Sequence, residues 1–319
     1  MVKPVTILLL PEDTSQDSDK ILKSLVLKSL RLLDSTCPTE QIDFEPATDE
    51  AKEIANAPGW RDQTTKNAEK RRRVLGAIAT RISQPGNYVV FHFDGDTTWS
   101  NRANSKECQQ FETKVRQTIE IILATPPQKR TAKREPSAPR DPQGVARNLA
   151  RLLPMVPFYC IESWLYQNTR EAIKICGHAK YKESERQKAR QQFEAWAKDR
   201  GALDELEKPK DAVCLWSDHN QDLASNNFPA KEVYGVGTSF KEFVDSLWVV
   251  ASHLKEQQGL NQKREELSIL WGLRQFAPTQ LPTTKTTEEI ERWITLLDTP
   301  EEFTEEEALA RFQGTTSKD

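Results

Sequence analysis

Phe91-His92-Phe93-Asp94-Gly95-Asp96 places two carboxylates one residue apart at the end of an apolar run. While a strand lasts, residues i and i+2 lie on the same side of it, so Asp94 and Asp96 are expected to stand together. Two like charges there repel and lose hydration unless a cation compensates them. Magnesium suits such a place, because it takes oxygen ligands, is held by one or two carboxylates and keeps waters for a substrate. The plain alternative is a strand-to-loop turn, since Asp and Gly both favour turns. Glu12 repeats the arrangement after Val5-Thr6-Ile7-Leu8-Leu9-Leu10. In open α/β sheets the functional crevice lies outside the carboxyl ends of the strands. If these two strands are parallel neighbours, Glu12, Asp94 and Asp96 converge on a site for Mg²⁺ or Mn²⁺.

The elements that must position these acids follow from periodicity. Residues 5–10 and 88–93 are continuous apolar runs, as expected of strands buried on both faces. Residues 155–161 give a third strand, with Pro157 marking an irregular start or an edge. Ser18 is placed to cap a helix carrying Leu22, Leu25, Val26, Leu30 and Leu33 at helical spacing. Further helices are predicted over 65–83, with Leu75, Ile78 and Ile82 inward, and around Phe111, Val115, Ile119 and Ile122. Residues 45–63 carry Pro46, Pro58 and Gly59 and are expected to be mostly loop. The fold class predicted is therefore α/β, a largely parallel sheet flanked by helices.

Thr125–Gln143 differs in composition. It holds five prolines and five basic residues (Lys129, Arg130, Lys133, Arg134, Arg140) against Glu135 and Asp141, and is expected to be a mobile basic loop. Beyond residue 170 the pattern is mainly helical, over 184–199, 239–256, 262–274, 287–297 and 304–312, with a short strand possible at Val213–Trp216. The organisation expected is a metal-binding unit over 1–170 and a helical region over 171–319.

Composition narrows the class of protein. In 319 residues no stretch reaches the about 18 apolar residues that span a bilayer. The start Met1-Val2-Lys3-Pro4 lacks a signal-peptide pattern, so a cytoplasmic protein is expected. Five scattered cysteines without a CxxC pair fit reduced thiols rather than a zinc site. The net charge of -3 excludes a globally basic nucleic-acid binder but not a local basic groove. Two such patches exist, Lys70-Arg71-Arg72-Arg73 and the loop with Lys129, Arg130, Lys133 and Arg134; either could follow a phosphate backbone or be a solvated surface. Trp60, Trp99 and Trp164 could stack on bases or pack in a core. His92 shares the parity of Asp94, although a hydrogen-bonded core histidine is the ordinary outcome. Gly235-Val236-Gly237 is too short for a phosphate loop, so any ATP-driven step would need a partner ATPase.

Leu9-Leu10-Pro11-Glu12, Asp17 with the Leu-rich helix after it, and a hydrophobic strand ending in Asp94-Gly95-Asp96 together resemble the Toprim domain of topoisomerases, primases and OLD-type nucleases. Phe158-Tyr159-Cys160-Ile161-Glu162-Ser163-Trp164-Leu165 is similar to the Glu-x-Trp-Leu segment of Toprim-related proteins of phage-defence type. The resemblance covers about residues 4–170. It implies Glu12 as a ligand or general acid/base, Asp94 and Asp96 as metal ligands, and Glu162 as the later acid of the set. It implies a Mg²⁺-dependent (or Mn²⁺-dependent) nuclease acting on DNA or RNA, the effector of an anti-phage defence complex. The chain departs from the pattern at Asp13, where many Toprim domains have Gly. Two other readings stay open: a catalytically degenerate Toprim-like scaffold subunit, and a glycosyltransferase using the Asp-x-Asp pair.

Overall fold

The computed structural model describes residues 5–12, 17–55, 65–125, 141–178, 180–206, 214–215, 217–259 and 262. Four strands, β1 (Val5–Leu10), β2 (Ile42–Pro46), β3 (Asn87–His92) and β4 (Leu152–Met155), form one sheet in the order β2-β1-β3-β4. Every pairing is parallel, with Leu10 opposite Phe91 and His92 opposite Met155.

Strand parity divides the core into two layers. Val5, Ile7, Leu9, Tyr88, Val90, Leu153 and Met155 face one side, where they pack on the helix Ser18–Leu33 and on the helices after β4. Leu10, Val89, Phe91, Phe93 and Leu152 face the other, against the helix Thr65–Ile82 and the helical run through Phe111, Val115 and Ile119. A sheet covered on both faces explains why β1 and β3 are apolar throughout. The first layer runs without a break from the sheet to Phe193, Phe240, Val250 and Leu254, so the described helices between 171 and 259 share one core with the strands. Tyr88 is tied to the helix over 248–259 by a 2.7 Å hydrogen bond between its hydroxyl and His253 Nδ1.

Several expectations are corrected. The end of β2 and the helix Asp49–Ala55 stand within 45–63, where mostly loop was expected, and residues 56–63 lie outside the described residues. β2 is an edge strand, so its residues are at most partly covered and carry no continuous apolar signal. The third strand lies at Leu152–Met155 rather than 155–161. Pro157 has no N–H for a ladder, and Tyr159 turns the chain away at φ 80°. Ser18 does not cap the first helix: Asp17 is the N-cap residue, and no side chain bonds there. The basic loop ends at a helix, Pro142–Leu149. Asp141 caps it by accepting from the backbone N–H of Gln143 and Gly144, with Pro142 in the first turn.

Residues 126–140, Val213, Trp216 and the helices expected beyond 262 lie outside the described residues; Cys214 and Leu215 do not form a strand. The expectation of uniformly reduced cysteines is also corrected. Cys176 and Cys214 form a disulfide across a separation of 38 residues, which no local spacing reveals. Cys37, Cys108 and Cys160 are free. Among the described residues no helix is long and apolar enough to cross a membrane.

Candidate acidic site

The chain leaves β1 toward one face of the sheet, through the helix Ser18–Leu33, and leaves β3 toward the other, through the helical run at Phe111–Ala124. Neighbouring parallel strands whose connections diverge leave a crevice between their carboxyl ends. Glu12 and Asp94 meet in that crevice. The backbone N–H of Asp94 donates to Glu12 Oε2 at 2.6 Å, and the backbone N–H of Glu12 donates to His92 Nδ1 at 3.3 Å. The first is a short bond to a carboxylate, the stronger kind of hydrogen bond.

His92 and Asp94 are also close. His92 is buried, and its Nε2 lies 3.5 Å from Asp94 Oδ1, at the outer limit of a hydrogen bond. Both atoms are fully covered and have no hydrogen-bond partner among the described residues. A buried polar group left this way costs about 1–3 kcal/mol. Burial pushes the Asp94 carboxyl above the usual carboxylate range; His92 opposes this, while the charges of Glu162 and Asp96 add to it.

Asp96 departs from the expected geometry. The strand stops at His92, and Asp96 is exposed in the left-handed region at φ 48°, so strand parity does not carry through to it. Gly95 explains the break. Its N–H donates to Pro157 O at 2.9 Å, and a Cβ there would lie 3.3 Å from Phe158 Cδ1 and 3.4 Å from Pro157 O. The glycine therefore serves a close approach of two loops. Ser105 closes the same loop by donating to Gly95 O at 2.8 Å.

Glu162 is nearly buried in the first turn of the helix Glu162–Leu165. Asn220 Nδ2 donates to its Oε1 at 3.2 Å. Burial and then the Glu162 charge raise the Cys160 thiol and the Tyr166 hydroxyl. Asn220 gave no signal in the sequence, being 58 residues away. Beneath Glu162, Trp164 is wholly buried and donates to Ser239 Oγ at 2.6 Å, and Ser239 donates to Asp204 Oδ2 at 3.1 Å. Trp164 is therefore unable to stack on a ligand. Trp99 is partly exposed, with Phe158 edge-on at 5.1 Å and the Arg102 guanidinium 4.3 Å from its ring centre.

Of the basic residues, Arg72 and Arg73 are exposed and Arg71 half-buried on the helix Thr65–Ile82. That helix ends five residues before β3, and Arg72 and Arg73 lie near its middle. Arg73 pairs with Glu50 at 2.7 Å. Lys129, Arg130, Lys133 and Arg134 lie outside the described residues, as do Asp13 and Trp60.

Four acids thus lie at or near one edge of the sheet, Glu12 against Asp94, Asp96 and Glu162 within electrostatic reach of Asp94. Among the described residues, no three His, Cys, Asp or Glu side chains are already arranged as a metal shell. No protein-family model, curated protein or solved structure matches the chain.

Proposed function

We propose that this chain is a metal-dependent phosphodiesterase of Toprim type acting on nucleic acid. The observation that carries the reading is the Glu12–Asp94 contact in the crevice between β1 and β3, with Asp94 Oδ1 covered and lacking a donor. A hard divalent cation fits this chemistry: the donors are carboxylate oxygens, and Asp94 Oδ1, with the His92 ring 3.5 Å away, keeps a lone pair for an ion. Asp94 would hold the ion, with Glu12, Asp96 and Glu162 as further oxygen donors. Bound there, Mg²⁺ or Mn²⁺ would neutralise charge on a phosphate and lower the pKa of a water.

The chain's own residues supply the rest. Glu12, its Oε2 held by the Asp94 amide, is the group placed to exchange a proton with the attacking water or the leaving oxygen. Asn220 holds the buried Glu162 carboxylate. Arg72 and Arg73, exposed on the helix Thr65–Ile82, would follow the backbone of a long substrate.

The test is cleavage of plasmid DNA, single-stranded DNA and RNA with Mg²⁺ or Mn²⁺ and with EDTA. Glu12→Ala and Asp94→Ala are expected to lower the metal-dependent rate on the order of 10³-fold, which corresponds to several kcal/mol of transition-state stabilisation. No cleavage by the wild type, or equal cleavage by all three proteins, overturns the reading. A non-catalytic binding subunit is the second reading. Asp96, exposed in its left-handed turn, and Glu162, committed to Asn220, favour it. Metal-independent binding of nucleic acid without cleavage would establish it.

A further inference from the structure

The His92 side chain is close to both halves of the acidic site. Its Nδ1 accepts the backbone N–H of Glu12, and its Nε2 is 3.5 Å from Asp94 Oδ1. A ring nitrogen that accepts a hydrogen bond carries no proton, so the neutral ring must carry its hydrogen on Nε2. That nitrogen lies 3.5 Å from Asp94 Oδ1, at the outer limit of a hydrogen bond, and neither atom has a hydrogen-bond partner among the described residues. Here the second nitrogen addresses a carboxylate, the arrangement by which neighbouring groups orient ligands around metal ions.

We infer that His92 is a positioning residue for the acidic site: as its Nε2–H tautomer it ties the Glu12 loop to Asp94 and holds the Asp94 carboxylate in one orientation for a divalent cation. This rests on the metal reading of the site proposed above. His92 touches neither substrate nor ion, and acts through Asp94 and the loop carrying Glu12.

Two substitutions separate the two bonds. Asn places its amide oxygen near Nδ1 and can still accept from Glu12, but has nothing at the Nε2 position. Gln reaches the Nε2 position with an amide N–H. The readout is Mn²⁺ binding by calorimetry and electron paramagnetic resonance, with thermal melts to confirm folding. His92→Asn should bind Mn²⁺ about 10–100-fold more weakly, and His92→Gln should return to within a few-fold of the wild type. ¹⁵N-histidine NMR of the metal-free wild type should show the Nε2–H tautomer. An Nδ1–H tautomer or a charged ring overturns the inference whatever the variants do. If the wild type binds Mn²⁺ and folded His92→Asn binds it equally well, the His92 role fails while the metal site stands. If the wild type does not bind Mn²⁺, the site reading fails and the His92 role falls with it.

Discussion

At the carboxyl ends of β1 and β3, two acids face each other across a crevice; at the end of β4, an acid with the same kind of sequence before it is packed down. Glu12, Asp94 and Glu162 each follow an apolar run. Glu12 and Asp94 are joined at 2.6 Å, and the Asp94 carboxylate keeps a covered oxygen without a donor. Glu162 instead has its Oε1 held by Asn220, with Cys160 and Tyr166 beside it and the Trp164–Ser239–Asp204 chain below. The difference comes from how the chain leaves the sheet. After β1 and β3 it diverges to opposite faces and leaves a gap. After β4 it passes through the loop 156–161 and turns at once into a helix that packs in the first core layer.

The comparison breaks most sharply on activity. Asp94→Asn should remove metal-dependent cleavage as Asp94→Ala does, while the melting temperature without metal holds or rises, because one of several crowded carboxylates is neutralised. Glu162→Gln keeps an acceptor for Asn220, so it should fold with a melting temperature within a few degrees of the wild type. Its activity should fall by about 10–100-fold, the loss expected of a group that orients the site. Full activity in Glu162→Gln would return Glu162 to a structural role and confine the site to Glu12, Asp94 and Asp96.

Stability sharpens the comparison from the other side. Asn220→Leu leaves the buried Glu162 Oε1 without its donor and should cost about 1–3 kcal/mol. At roughly 2–4 °C per kcal/mol for a chain of this size, that is visible in a thermal melt. An unchanged melt would mean that solvent reaches Glu162 and that its corner is as open as the crevice between β1 and β3.

The smallest effect concerns pH. Burial holds the Asp204 carboxyl above its usual range, opposed by the nearby hydroxyls, of which Ser239 donates to Oδ2. Because the folded value is raised, the contribution of Asp204 is fully present below its unfolded value of about 3.9 and is lost as pH rises through the folded value. Wild-type stability measured by urea unfolding, relative to that of Asp204→Asn, should therefore decline with rising pH over that window. A difference that is flat with pH would mean that Asp204 is not desolvated beneath Trp164.

Local pattern made much of the architecture legible. The apolar runs at Val5–Leu10 and Asn87–His92 are strands, and the helical stripes of Ser18–Leu33 and Thr65–Ile82 face the core. These elements bury most of their apolar residues, so their periodicity is strong. β2 and β4 were missed or misplaced because an edge strand is covered on fewer sides, and because Pro157 stops a ladder that composition alone would continue. The pairing of Cys176 with Cys214 joins residues 38 apart, and spacing holds no trace of it.

That Glu12 and Asp94 follow β1 and β3 was readable from the chain alone, since an acid after a buried run is a local fact. Only the tertiary structure decided their company. The strand order put β1 beside β3 and so brought Glu12 to Asp94. The close approach of Gly95 to Phe158 was followed by a left-handed Asp96 that broke the expected pairing of the two aspartates. The helix at Asn220 reached Glu162 from 58 residues away. Such contacts depend on where a whole layer packs, and a residue's own neighbours in the chain carry no information about that.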